Sequence, residues 1–207
     1  MNLFEQLKSS FPEQIKAPQE LEHLCHWVEQ NGYPISGDFE LRVDDGETIN
    51  HWFGFNEVSH RFGVFGAGAT GDIFAFWVDD NDHQKIVHLG SEGDNMFIIA
   101  EDFIDFLRFL AIGYKEISQA NMHVSPMEHN IQEALKQFRF VGNTTITEAE
   151  IVAEYGDELY EGINNNFQHW VKEAFKVSIP VKGNEIINVN DRTFQDWLEK
   201  QYEMYGE

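Results

Sequence analysis

The stretch that most constrains what this chain can fold into is residues 72–78, DIFAFWV. In an extended strand successive side chains point to opposite faces. Here Ile73, Ala75 and Trp77 fall on one side and Phe74, Phe76 and Val78 on the other, so neither face of the strand tolerates water. It must be a central strand. The polar connection from Asp79 to Gln84 is too short for a parallel crossover and predicts an antiparallel hairpin with the apolar run 86–89. A third run, 96–100, follows the turn at 90–95 and leads into a helix. There Phe103, Phe106, Leu107 and Leu110 recur at i, i+3, i+4 and i+7. Glu101 and Asp102 are placed against the positive end of the helix dipole, and Gly113 is the expected stop.

Working outwards, residues 2–8 predict a short helix, with Leu3, Phe4 and Leu7 on one face. A better one begins at Pro18, carries Leu21, Leu24, Cys25 and Val28 as its stripe and stops at Asn31-Gly32. Phe39, Leu41 and Val43 alternate with Glu40 and Arg42, and Asp44-Asp45-Gly46 turns the chain toward residues 49–55. That pattern reads as a first hairpin with one wet face. The expected fold class is therefore α+β: a mainly antiparallel, twisted sheet of about five or six strands packed with helices. After Gly113 strand signals almost vanish. Pro126 opens a helix through Phe138, and Thr147 and Glu150 have capping-box spacing. Phe167 with Trp170 and Phe194 with Trp197 form two echoing aromatic pairs, read as anchors for two helices. The expected organisation is a core at 1–113 and a mostly helical C-terminal extension at 114–207, continuous with the core because no Pro/Ser-rich linker divides them.

One order of motifs carries a family resemblance. Gly66-x-Gly68 and Gly71-Asp72 lead into an aromatic strand, then come Gly90-Ser91-Glu92-Gly93 and Ala100-Glu101-Asp102-Phe103 with Phe106-Leu107. This order resembles the SUKH superfamily, which includes many bacterial immunity proteins of polymorphic toxin systems and fungal cell-wall-synthesis regulators. The resemblance covers about half of the chain and brings no catalytic signature. It implies a non-enzymatic protein-binding domain.

Charge narrows the class of partner. Acids outnumber bases 36 to 14, a formal net charge of −22 in 207 residues, which disfavours nucleic-acid phosphates and anionic membranes as direct partners and favours cationic ones. With 18 Phe the chain is too aromatic to be disordered. The single cysteine, Cys25, excludes an internal disulfide. No segment has the length of a membrane span, and the first residues lack the basic and apolar regions of a secretory signal, so a cytoplasmic location is expected.

Several chemical signals fail on inspection. Residues 66–71, GAGATG, match G-x-G-x-x-G, but a dinucleotide site needs a helix to start inside the motif, and here a strand follows. An EF-hand started at Asp80 would put Lys85 where glycine is needed and Ser91 where the bidentate glutamate belongs. His23 and His26 share a helix face, but Cys25 sits on the apolar stripe and no further ligand pair completes a zinc site. Ser59 and Ser91 have no recognisable nucleophile context, which leaves a hydrolase as a remote alternative. No catalytic, cofactor-binding or metal residues are assigned.

What remains is acidity. Between Asp72 and Arg108 nine acids face two bases, and the loops carrying Asp79, Asp80, Asp82, Glu92 and Asp94 emerge from sheet ends beside aromatic strands. Acids around apolar anchors make a protein-binding patch, and these five are the candidate partner-binding residues. The expected function is that of an immunity protein occluding a cognate toxin, a basic nuclease being the natural target; a regulatory scaffold of the cell-wall-regulator kind is the alternative.

Overall fold

The computed structural model describes residues 1–142 and 145–206. Five strands form one antiparallel sheet in chain order: β1 (Glu40–Leu41), β2 (Phe62–Ala67), β3 (Ile73–Val78), β4 (Gln84–Leu89) and β5 (Phe97–Ala100). The β3–β4 hairpin is regular from Ile73↔Leu89 to Val78↔Gln84. β3 is the middle strand and is buried along its whole length, as its double apolar alternation requires. Eight α-helices surround the sheet among the described residues. Four of them, α1 (Leu3–Ser10), α2 (Gln19–Asn31), α4 (Phe103–Leu110) and α7 (Asn165–Phe175), pack over the Phe74/Phe76 face. Asp102 caps α4 by accepting from the Asp105 N–H at 2.9 Å, and its Phe106 ring lies 5.3 to 6.1 Å from those of Phe39, Phe65, Phe74 and Phe103. Each such buried side chain contributes roughly 1.5–3 kcal/mol, which makes α4 the centre of this face.

The opposite face, carrying Ile73, Ala75 and Trp77, is covered by α3 (Thr48–Phe53) and α8 (Thr193–Tyr205). Here the expected first hairpin is corrected: pairing stops at Leu41, and residues 48–53 form a helix in place of the second strand. Ile49 and Phe53 are four residues apart, so a helix puts both on the sheet, and Gly54 closes it in the left-handed conformation. The two echoing aromatic pairs do anchor helices, on opposite faces of the sheet. Phe167 and Trp170 of α7 meet Trp27 of α2, whereas Phe194 and Trp197 of α8 lie 4.8 and 5.3 Å from Trp77.

The remaining helices, α5 (Pro126–Phe140) and α6 (Glu148–Tyr155), form a separate small apolar cluster around Ile131, Leu135, Ile151 and Leu159. The predicted capping box at Thr147 and Glu150 is present. Behind β1 the first and last thirds of the chain are stitched through the backbone: the Gly37 N–H donates to the Gly162 carbonyl at 3.0 Å, and the Asn164 amide donates to the Pro34 carbonyl at 2.8 Å.

Candidate functional site

The glycine-rich motif is a strand, a tight turn and a strand. Gly71 turns the chain at φ +89, and the other two glycines leave room for side chains. A Cβ on Gly66 would meet the Phe39 ring at 2.4 Å, and one on Gly68 would meet the Asp72 carboxylate at 2.5 Å. The space a phosphate would need beside these two backbones is filled by the protein's own ring and carboxylate.

Asp72 and His88 are both fully buried, and they join in a polar knot under this turn. His88 Nε2 lies 3.0 Å from Asp72 Oδ2, and His88 Nδ1 lies 2.7 Å from the Asn95 carbonyl oxygen. A carbonyl oxygen only accepts, so Nδ1 is the donor to Asn95 and Nε2 faces the carboxyl group. Thr70 Oγ1 donates to Asp72 Oδ1 at 2.7 Å, and the Asn95 side-chain amide donates to the Ser118 carbonyl at 2.9 Å. Burial raises the Asp72 carboxyl, but hydrogen bonds from His88 and Thr70 outweigh it and hold the group below the usual carboxylate value. Asp38, whose Oδ2 accepts from the Ala69 N–H at 3.0 Å, is shifted the other way by burial and by the charge of Asp72. Both nitrogens of His88 are occupied, so the ring has no free position for a nucleophile or a substrate proton. The knot ties the β2–β3 turn, β4, the 90–96 loop and residue 118 together.

The five acids singled out by sequence are not brought together. Asp79, Asp80 and Asp82 sit at the β3–β4 tip, while Glu92 and Asp94 sit in the β4–β5 loop. β4 runs between the two, and six residues at ~3.4 Å each span about 20 Å. Asp79 is buried and serves the tip itself: its Oδ1 accepts from the N–H groups of Asn81 at 2.8 Å and His83 at 2.9 Å. Burial raises its carboxyl, and those backbone bonds more than offset the rise, so its value is lowered. Asp80 pairs with Arg61 at 2.8 Å, and Asp82, Glu92 and Asp94 are exposed.

Arg61 connects the tip to a surface that sequence reasoning missed. Its Nη1 also donates to the Val78 carbonyl at 3.3 Å, and its guanidinium lies 5.8 Å from the Trp197 ring of α8. Farther along α8, Tyr202 stacks on Phe53 at 5.7 Å, and Phe55 touches both Tyr202 at 5.5 Å and Tyr205 at 5.8 Å. Tyr202, Met204 and Tyr205 are 39%, 60% and 43% exposed, a concentration of apolar side chains at the end of one helix. The sequence signal was the spacing of Tyr202 and Tyr205 after Trp197-Leu198; without a position for α3, nothing marked the rings as surface.

Elsewhere, Cys25 is buried against the apolar stripe of α2 while His23 and His26 are exposed, so the three do not converge. Burial first, and then Glu29 and Glu22, push the thiol up to about 12. Among the described residues no group of three or more His, Cys, Asp or Glu side chains is placed to hold a metal ion, and no helix is long and apolar enough to cross a membrane. An open cleft of about 300 Å³ lies between residues 115–119 and the α5–α6 lobe, with Lys115 and Glu161 paired at 2.6 Å on its wall. His129 there accepts from the Asn121 N–H at 3.4 Å, and burial lowers its pKa.

The fold and site define an α+β protein whose sheet is covered on both faces and whose most prominent polar cluster is centred on a buried Asp72–His88 pair. No family model matches the chain, and no curated protein or solved structure shows significant similarity to it.

Proposed function

We propose that this chain is a non-enzymatic binding protein that sequesters a cationic protein, in the manner of the SUKH immunity proteins it resembles. The observation that carries the reading is charge: a net −22, with seven of the 14 Lys and Arg residues (Arg61, Lys85, Arg108, Lys115, Lys136, Lys176 and Arg192) already paired with carboxylates of the same chain. Most of the acid excess is left to the solvent and to a partner. A nuclease cleft must be cationic to hold phosphates, so an acidic protein reaches it quickly by electrostatic steering and blocks it by occupancy. Against hydrolysis stands the buried Asp72–His88 pair, in which both imidazole nitrogens are already engaged, one by Asp72 and one by the Asn95 carbonyl, so that His88 has no free nitrogen to act as a base.

The test is capture of the binding partner from the native host at low ionic strength, followed by assay of that partner with and without an equimolar amount of this protein. A basic partner whose activity is silenced at one-to-one stoichiometry is expected. An acidic partner contradicts the reading, and a basic partner that binds but stays active replaces the immunity role with that of a scaffold.

A further inference from the structure

The surface beside the acidic tip is more specific than charge alone. Phe55, Tyr202 and Tyr205 form a continuous ring cluster, with Met204 60% exposed next to it. Tyrosine and methionine are enriched at protein interfaces because each offers much apolar contact area, tyrosine at little cost in side-chain entropy. The cluster is bordered by carboxylates. Glu57 follows Phe55 by two residues, Glu203 lies between Tyr202 and Met204, and Asp80 of the hairpin tip, which also carries Asp82, pairs with Arg61. Glu57, Asp82 and Glu203 are in no ion pair among the described residues, whereas Lys200 is the nearby base on α8.

Charge complementarity selects the occupant. A second copy of this chain would bring one acid rim against another, and like charges so juxtaposed oppose association. An anionic lipid surface is repelled for the same reason. Resting on the reading of the protein as a binder of a cationic partner, we propose that Phe55, Tyr202, Met204 and Tyr205 form the central anchor site for a basic amphipathic segment of that partner. An apolar side chain of the segment seats among the rings, and flanking Arg or Lys side chains face Glu57, Asp80, Asp82 and Glu203. Anchors of this kind, buried centrally with charges at the rim, carry most of an interface's affinity.

The probe is a synthetic peptide with leucine and arginine at helical spacing, titrated into the full isotope-labelled chain and followed through backbone amide shifts. The control is the same peptide with serine in place of leucine. Shifts confined to residues 53–61, 79–83 and 198–206 are expected with the leucine peptide and are much smaller with the control. The double change Met204→Ser/Tyr205→Ser, at two exposed positions, weakens leucine-peptide binding about tenfold and leaves the melting temperature within a degree or two. Shifts spread over the whole acidic surface, equal response to both peptides, or undiminished binding by the double variant overturn the proposal. So does concentration-dependent dimerisation of the free protein that the double variant abolishes, since the face would then belong to a second copy. If the captured partner is silenced equally well by wild type and double variant, the surface is wrong while the function stands; if that partner is not basic, the function itself fails, whatever the peptide does.

Discussion

The two ends of the β3–β4 hairpin are both acidic, yet they are built for different work. At the 90–96 end the decisive carboxylate, Asp72, is inside, locked to His88 and Thr70, and the exposed acids Glu92 and Asp94 lie in a loop held down by that knot. At the 79–83 end Asp79 holds the turn, while Asp80 and Asp82 reach solvent next to Arg61 and, beyond it, the exposed aromatics of α8. Acidity therefore does not identify a binding surface by itself; what distinguishes the two ends is the apolar surface beside the acids.

The largest expected effect is at the buried knot. His88→Leu leaves the buried Asp72 carboxyl group without its hydrogen-bond partner and is expected to cost about 3 kcal/mol in denaturant unfolding. Adding Asp72→Leu should cost far less than a second such loss, because the two residues act as one unit. Strict additivity of the two changes would mean that the pair is not coupled as the geometry shows.

Acid titration sharpens the same contrast. Asp72 and Asp79 both have lowered folded values, so each contributes stability that is fully present above the unfolded carboxylate value of ~3.9 and is lost as pH falls through the folded one. Urea midpoints should fall steeply below about pH 4, and Asp79→Asn should flatten the part of that slope due to the tip. At neutral pH, Asp79→Asn should cost about 1.5–3 kcal/mol, the worth of hydrogen bonds to a charged group. A loss near zero would mean that the tip holds its shape without Asp79.

The smallest expected effect on stability is that of Asp80→Asn with Asp82→Asn, within about 0.5 kcal/mol, because exposed charges and surface pairs contribute little. Thermal unfolding checks this, and a large loss would make the tip acids structural like Asp72.

Much of this was legible in the sequence, for a physical reason. β3 to α4 is local: one hairpin, one loop and one amphipathic helix, each specified by its own periodicity. The 49–55 segment misled because Ile49, Phe53 and Phe55 satisfy both a strand and a helix pattern over so few residues, and the outcome is decided by Phe62 and α8, distant in the chain. The Asp72–His88 pair was readable in principle. A hairpin symmetric about Asn81 pairs Phe74 with His88 and so puts His88 diagonally across from Asp72 on the same face, where two polar groups on an otherwise apolar strand face need each other. The aromatic surface was not readable, since it joins residues 53–55 to 202–205 through tertiary packing alone.

The most direct test of the central claim is stopped-flow association of the captured partner with three proteins, wild type, Asp80→Asn/Asp82→Asn and Glu92→Gln/Asp94→Asn, at several ionic strengths. Rim charges act through long-range steering, and the Debye length falls from ~10 Å at 0.1 M to ~3 Å at 1 M salt. The tip variant is therefore predicted to associate more slowly, with a shallower salt dependence and little change in dissociation, while the loop variant follows wild type. Superimposable curves for wild type and the tip variant, or a larger effect from the loop variant, would contradict it.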